Sequence, residues 1–379
     1  MYSVSLRAVF ILLSIAAAFL LEGIFLLDGG ADALVTHATE KVFGDGKVLN
    51  TIYTGYPIID HVLPMSVSFW DPVLSKERAT ILLSRTFSAS VQSLGVFAMV
   101  ESRRRGCKNI MLRWVPVNIL AWQLIGAAIF VPLYLMLELE QHSFSSERPV
   151  SQDPTVPYLQ AKALLPATII TVLHLYRMVY FPPSGITTAQ HQAWTAVWQL
   201  TPFLCYAAMA AIGLFLTSRN TEQVVESERS SNSDVPWLKA VFLLFGFFSA
   251  VTHLSVLWEL IVTNDHSISH ESLFIPLSHK LGHSNATELS HIAESTFFLQ
   301  WDYIIIIIAA AVYVTVILHR MYAGLTRLHQ TGIFFMALFL NHAVSFGCVC
   351  AIILFLREDI LRQKVAVSGS VSHQQKKLK

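Results

Sequence analysis

Three carboxylates, Glu101, Glu259 and Asp302, lie in or at the ends of long apolar runs, and two histidines, His253 and His342, lie within two such runs. An ionisable group in hydrocarbon costs about 2.5–3.5 kcal/mol at a helix centre on insertion scales, so each is expected to face a bundle interior and act there. The chemistry open to these residues is proton transfer in a dry medium, with a carboxyl as general acid and an imidazole as acceptor. Asp71, in "SFWDP", joins them if the segment 55–72 folds back into the bundle, and Glu22, Asp60, His174 and Arg177 complete the set. Other chemistries lack their residues. No phosphate-cradling P-loop, dinucleotide fingerprint, haem-attachment pattern or G-x-S-x-G elbow occurs. The loop 263–296 is rich in histidine, but its "HKLGH" lacks the glutamate of a zincin helix and contains Gly282, so a solvated loop is expected rather than a metal site. Cys107, Cys205, Cys348 and Cys350 are too few and too irregularly spaced for a disulfide framework and read as small hydrophobes. No metal and no cofactor is expected.

The elements that must hold these groups are membrane helices. Hydrophobic residues make up 54% of the 379 and charged residues only 13%, against about 25% charged in a soluble domain. Windows of about 20 apolar residues, the length needed to cross a bilayer, fall at 6–27, 86–101, 114–137, 159–181, 193–218, 237–262, 297–319 and 332–356. The reading is all-α: one polytopic transmembrane helical bundle of about eight spans, forming a single domain over 1–379. Segment 28–85 is expected to be lumenal, re-entrant or interfacial, because "YPIIDHVLPMSVSFW" is too apolar for a plain loop and is interrupted by Pro57 and Pro64. The first window also satisfies part of a signal-peptide pattern, but it is longer than a typical h-region and carries Glu22. Arg103, Arg104, Arg105, Lys108 and Arg113 place the turn after the second span in the cytoplasm, together with the N-terminus and the basic 358–379 tail. Arg320 and Arg327 disagree with that count, and the sequon at Asn285 falls on the side where it would not be glycosylated.

In this topology Glu101, Glu259 and Asp302 share the cytoplasmic leaflet. Helical spacing puts Ser90, Ser93, Phe97 and Glu101 on one stripe, and Asp302 on one face with Ile306, Ala309 and Tyr313. Plainer roles compete with catalysis at each position. Serines in membrane helices serve close packing and interhelical hydrogen bonds. Glu101 is spaced to pair with Arg104 or Arg105. Single histidines are more often hydrogen-bonded interior residues, and Trp258 and Trp301 suit an interfacial belt.

The phrases "DHVLPMSVSFWDPVL", "VFAMVESRRRG", "NILAWQLIGAAIFVPLYLMLEL" and "FLQWDYI", in this order from about Asp60 to the last helices, resemble the fungal membrane-bound terpene cyclases of the ascochlorin, ascofuranone and macrophorin pathways. The chain departs from them after "RRG", where Cys107 stands in place of an expected Asn. The resemblance implies an isomerase that protonates the terminal epoxide or olefin of a farnesylated aromatic meroterpenoid precursor and cyclises its prenyl chain. Neither DDxxD nor DxDD is present, which argues against chemistry begun by loss of pyrophosphate. A starting acid must stay neutral near pH 7, as burial in an apolar cavity favours, and carbocations need a dry pocket walled by aromatic faces. Depth and phase nominate Asp302 or Glu259 as the acid, Glu101 as a group that holds or recharges it, Asp71 as the next acid, and His253 or His342 as the final acceptor. Phe97, Trp122, Trp198, Trp258, Trp301 and Tyr313 are the expected ring walls. Expected partners are a lipophilic prenylated aromatic substrate, membrane lipids and other pathway enzymes at the endoplasmic reticulum. Net charge is +1 with no long basic tract, so nucleic acid is not expected. The alternatives are a transporter exporting a lipophilic metabolite and a non-catalytic scaffold.

Overall fold

The computed structural model describes residues 2–141, 153–219, 232–276, 288–322 and 324–377. These form an all-helical bundle, with no strand among the described residues beyond a single bridge between Val42 and Val48. Among the described residues, six helical stretches are long and apolar enough to cross a membrane: Ser5–Leu27, Tyr158–Tyr180, Thr201–Arg219, Val235–Val262, Ile292–Met321 and Arg327–Gln363. The principal elements are α1 (Tyr2–Ala18), α2 (Gly30–Glu40), α3 (Ile59–Ser75), α4 (Arg78–Ser102), α5 (Val115–Ile125), α6 (Ala127–Gln141), α7 (Tyr158–Thr168), α8 (Thr188–Gln199), α9 (Thr201–Arg219), α10 (Val235–Val262), α11 (Glu288–Met321), α12 (Arg327–Leu340) and α13 (Phe346–Lys377).

Three of the eight expected spans differ, for separate physical reasons. The second window belongs to α4, in which every residue except Arg78, Ile81 and Gln92 is buried. Packed among α3, α5, α10, α11 and α13, it is solvated by protein rather than lipid, which explains its diluted hydropathy. The third window is two helices, because Gly126 adopts φ +130° and separates α5 from α6; that conformation is readily open to glycine alone. The fifth window is also divided, with α8 ending at Gln199 before α9 begins.

Serine and glycine let α4, α10 and α13 approach closely. Ser90 and Ser249 hydroxyls lie 2.8 Å apart, Ser249 donates to Ser345 at 2.9 Å, and Ser93 donates to the Phe245 carbonyl at 3.0 Å. A side chain at Gly246 would press on Ala351, with 2.7 Å between the β-carbons. Close contact of small residues is how membrane helices gain dispersion energy where lipid removes the hydrophobic drive.

Segment 28–85 is folded. After α2 it carries α3, which keeps Pro64 and Pro72 within its helix and packs on α2, α4, α8 and α11. Asp60 fixes the entry to α3 by accepting backbone N–H groups of Tyr53, Thr54 and Gly55. Partial desolvation opposes ionisation of Asp60, but these donors outweigh it and hold its carboxyl below the usual range. The segment read as a basic tail begins inside the bundle, since α13 runs on to Lys377 with Arg357, Glu358 and Arg362 buried. In the loop 263–296, residues 277–287 lie outside the described residues, and with them His279, His283 and Asn285.

Candidate active site

Among the described residues, a cavity of about 340 Å³ is lined by residues from α2 through α6, α8, α11 and the turn that follows α1. That is within the range of small-molecule sites, about 300–1,000 Å³. Asp302 and Glu22 are its acidic residues. Glu22 arrives on a π-helical turn, Phe19–Gly23, that interrupts the first apolar span; such wide turns recur at functional sites. Asp302 is buried on α11, and its two oxygens accept the backbone N–H groups of Ala127, at 3.3 Å, and Ala128, more closely. These amides start α6. The break at Gly126 thus exposes the first N–H groups of a helix, which have no partner within the helix and favour negative charge, and Asp302 occupies that position.

Aromatic rings wall the remainder. Phe25, Phe69 and Phe298 meet edge to face beside the acids, with centroids 5.5–6.2 Å apart. Trp70 and Trp198 form another edge-to-face pair at 5.1 Å. Trp122 completes the lining and contacts Tyr134 at 5.5 Å. Perpendicular rings suit the aromatic quadrupole, and a positive charge is stabilised against a ring face.

Of the carboxylates given a catalytic role from the sequence, Asp302 is the one on the cavity wall. Glu259 is half-buried and paired with Arg78, whose Nε donates at 2.8 Å, while Arg85 lies 3.7 Å from its other oxygen. Glu101 belongs to a buried ion cluster at the end of α4, the opposite end from Arg78 and Glu259, so these two carboxylates do not share a leaflet as the span count expects. Arg104, the partner three residues on, donates Nε at 2.7 Å, Arg357 donates to its other oxygen, and these arginines reach Glu358 and Glu138 in turn. Arg362 extends the cluster to Asp234 at 2.7 Å. Burial opposes the charge on Arg104, but Glu101 and Glu358 outweigh it and hold the guanidinium protonated well above its usual range. Asp71 is buried and bound by Lys47 at 2.5 Å, beside the cavity residue Trp70 but not itself on the wall.

His253 and His342 form a separate group. The Nε2 of His253 donates to the His342 carbonyl at 2.7 Å, and its Nδ1 meets the Thr86 hydroxyl at 2.6 Å. His342 is engaged by His270 at 2.8 Å and by the Tyr303 hydroxyl at 3.3 Å. Neither histidine lines the cavity. Among the expected ring walls, Trp122 and Trp198 do line it; Phe97 and Tyr313 face a smaller void beside Glu101 and Glu138. Trp301 is half-buried outside the lining, and Trp258 is 65% exposed on the surface of α10.

Several cavity residues were given no part in the reaction from sequence. Glu22 stood among the ionisable candidates as an acid in an apolar run, but without an assigned role. Phe298 stands one helical turn before Asp302 on the same face. Gln92 and Gln123 gave no periodic signal, because the stripe read on α4 runs through its serines and Glu101, and the helix that holds Gln123 carries neither charge nor serine.

The chain matches the CtvD domain family over residues 6–361. It is 26% identical over 329 residues to a terpene cyclase named DEP1 from Fusarium langsethiae, covering 83% of this chain and 86% of that protein. It is 25% identical over 321 residues to the terpene cyclase ascI of Acremonium egyptiacum, covering 80% and 77% respectively. The terpene cyclase atmA of Aspergillus flavus is 26% identical over 326 residues, covering 82% and 84%. No solved structure matches. With the family match extending over nearly the whole bundle, from the first apolar helix into α13, the chain belongs to the CtvD domain family.

Proposed function

We propose that this protein is a membrane-embedded terpene cyclase that starts its reaction by protonating the terminal epoxide or olefin of a farnesylated aromatic compound. The observation that carries the reading is a single cavity in which a buried aspartate opens onto a chamber of aromatic rings. Asp302 is the general acid. Its proton passes to the epoxide oxygen or the terminal alkene carbon, and positive charge develops on the prenyl chain. The Ala127 and Ala128 amides hold the carboxyl in place and receive the negative charge left on it. The olefins then close rings on one another along the folded chain. Loss of a proton, or capture by a nucleophile, ends the cascade, so the epoxide or polyene substrate and a proton-loss product are isomers. Glu22, the second cavity carboxyl, returns a proton to Asp302. A lipophilic substrate enters from the bilayer, with the endoplasmic reticulum as the membrane.

Microsomes containing the protein, supplied with farnesylated resorcinol and its terminal epoxide, test this. Wild type is expected to form cyclic isomers, and Asp302→Asn to lower turnover at least about 100-fold, within the range of general-acid contributions. Glu259→Gln is expected to retain most activity. Undiminished cyclisation by Asp302→Asn removes the assignment.

A further inference from the structure

We propose that Gln92, Gln123 and the indole N–H of Trp122 form a polar subsite for the oxygen-bearing ring head of the substrate, and that this subsite decides which end of the prenyl chain meets Asp302. The inference rests on the cyclase reading and concerns the same cavity. All three residues line it. Both the amide nitrogen and the amide oxygen of Gln92, the Oε1 of Gln123 and the Nε1 of Trp122 are shielded from solvent without a hydrogen-bond partner in the protein. Buried polar groups are nearly always paired, and each one left unpaired carries a desolvation penalty. Here the two glutamines share one side of the chamber, since both border the same small void, and Trp122 precedes Gln123 on α5; Ser66 Oγ and Trp198 Nε1, also unpaired on the lining, belong to α3 and α8.

Their chemistry specifies the ligand. Gln92 offers a donor and an acceptor, Gln123 an acceptor and Trp122 a donor. A phenol or hydroxyquinone head answers both kinds, because its hydroxyl donates to an amide oxygen and its oxygens accept from N–H groups. A bare hydrocarbon leaves every one of them unsatisfied. Position agrees with this. Gln92 and Gln123 also border a small void running toward Met99 and Thr201, whereas Phe25 and Phe298, beside the acids, border a different crevice toward Leu20 and Glu294. Head recognition and proton delivery therefore occupy different sides of the cavity. Seating the ring at the glutamines directs the free terminus of the chain to Asp302.

The test uses farnesylresorcinol and farnesylbenzene, which share one carbon skeleton and differ in two hydroxyls. Detergent-purified full-length protein is titrated with each by intrinsic tryptophan fluorescence. Wild type is expected to bind farnesylresorcinol at least about tenfold more tightly, the scale of a buried polar group left unpaired. Gln92→Leu/Gln123→Leu is expected to erase that preference while holding its Kd for farnesylbenzene, which also reports an intact fold. A wild type without preference, or a double variant that keeps it, overturns the proposal. Equal weakening of both ligands, in the double and both single variants, assigns the glutamines to packing and also overturns it. Turnover is read in the same samples. A hydroxyl preference lost in the double variant, without cyclisation by wild type, sinks the cyclase reading and supports the subsite.

Discussion

Asp302 and Glu101 are both buried acids in apolar helices, yet their partners give them different work. Among the described residues, Asp302 accepts hydrogen bonds from backbone amides and shares the cavity with a second carboxyl, which leaves it open to a ligand. Glu101 meets two guanidinium groups. Spacing alone identified Arg104 as a possible partner of Glu101, because residues three apart share a helix face. Arg357 comes from a helix more than 250 residues away in the chain, and no local pattern announces that pairing. Removing one partner from a buried ion cluster strands the remaining charges at a cost of roughly 3–5 kcal/mol. Arg357→Met is therefore expected to lower the thermal midpoint in detergent by several degrees, whereas Lys239→Met, at the exposed pair with Asp359, leaves it nearly unchanged. Equal midpoints for the two variants would refute an energetic role for the cluster.

At the scale of elements, the break between α5 and α6 matters most to the site. Hydropathy shows one span there, since both halves are apolar and a lone glycine within an apolar run carries little signal. The break follows from Gly126 at φ +130°, where an added β-carbon would lie 2.9 Å from Leu21 and 3.3 Å from Phe298. Gly126→Ala thus combines a backbone strain of about 1–3 kcal/mol with a clash. It is expected to shift the Ala127 and Ala128 amides from Asp302 and lower turnover about tenfold. Gly213→Ala, in mid-helix with open space around the new carbon, is expected to be neutral or slightly stabilising. Thermal midpoints and cyclisation rates of the two variants check both statements. The stripe Ser90, Ser93, Phe97 and Glu101 was legible from its period, and the hydroxyls do turn to neighbouring helices. Their partners Ser249 and Phe245 were not legible, because facing positions on two helices depend on crossing geometry.

Taken whole, the molecule opens its cavity toward a greasy surface. Val35, Val62 and Leu124 line it while remaining 51%, 38% and 38% exposed. Ile58, Ile59 and Ile125 extend the same apolar exposure. In water such a patch would be an interaction surface or a liability; beside lipid, the proposed function makes it a portal for a prenyl chain. Val35→Trp and Val62→Trp are expected to raise KM about fivefold with kcat little changed, since a narrowed mouth impedes access without touching the acid. A selective fall in kcat would place these residues in the chemistry instead.

The sequence by itself determined that the chain is a helical membrane protein, that its buried acids require partners or a purpose, and which family its motifs resemble. Each of these is a one-dimensional property, written in composition, in helical period and in short phrases. Tertiary structure alone decided which acid faces open space. Counting spans places Glu101, Glu259 and Asp302 at one level, but α4 and α10 pack antiparallel, with Ser90 against Ser249 and Ser93 against Phe245, so Glu259 meets Arg78 at the start of α4 while Glu101 stands at its far end. Arginines from distant segments claim two of these carboxylates, and the broken helix at Gly126 presents Asp302 to the chamber.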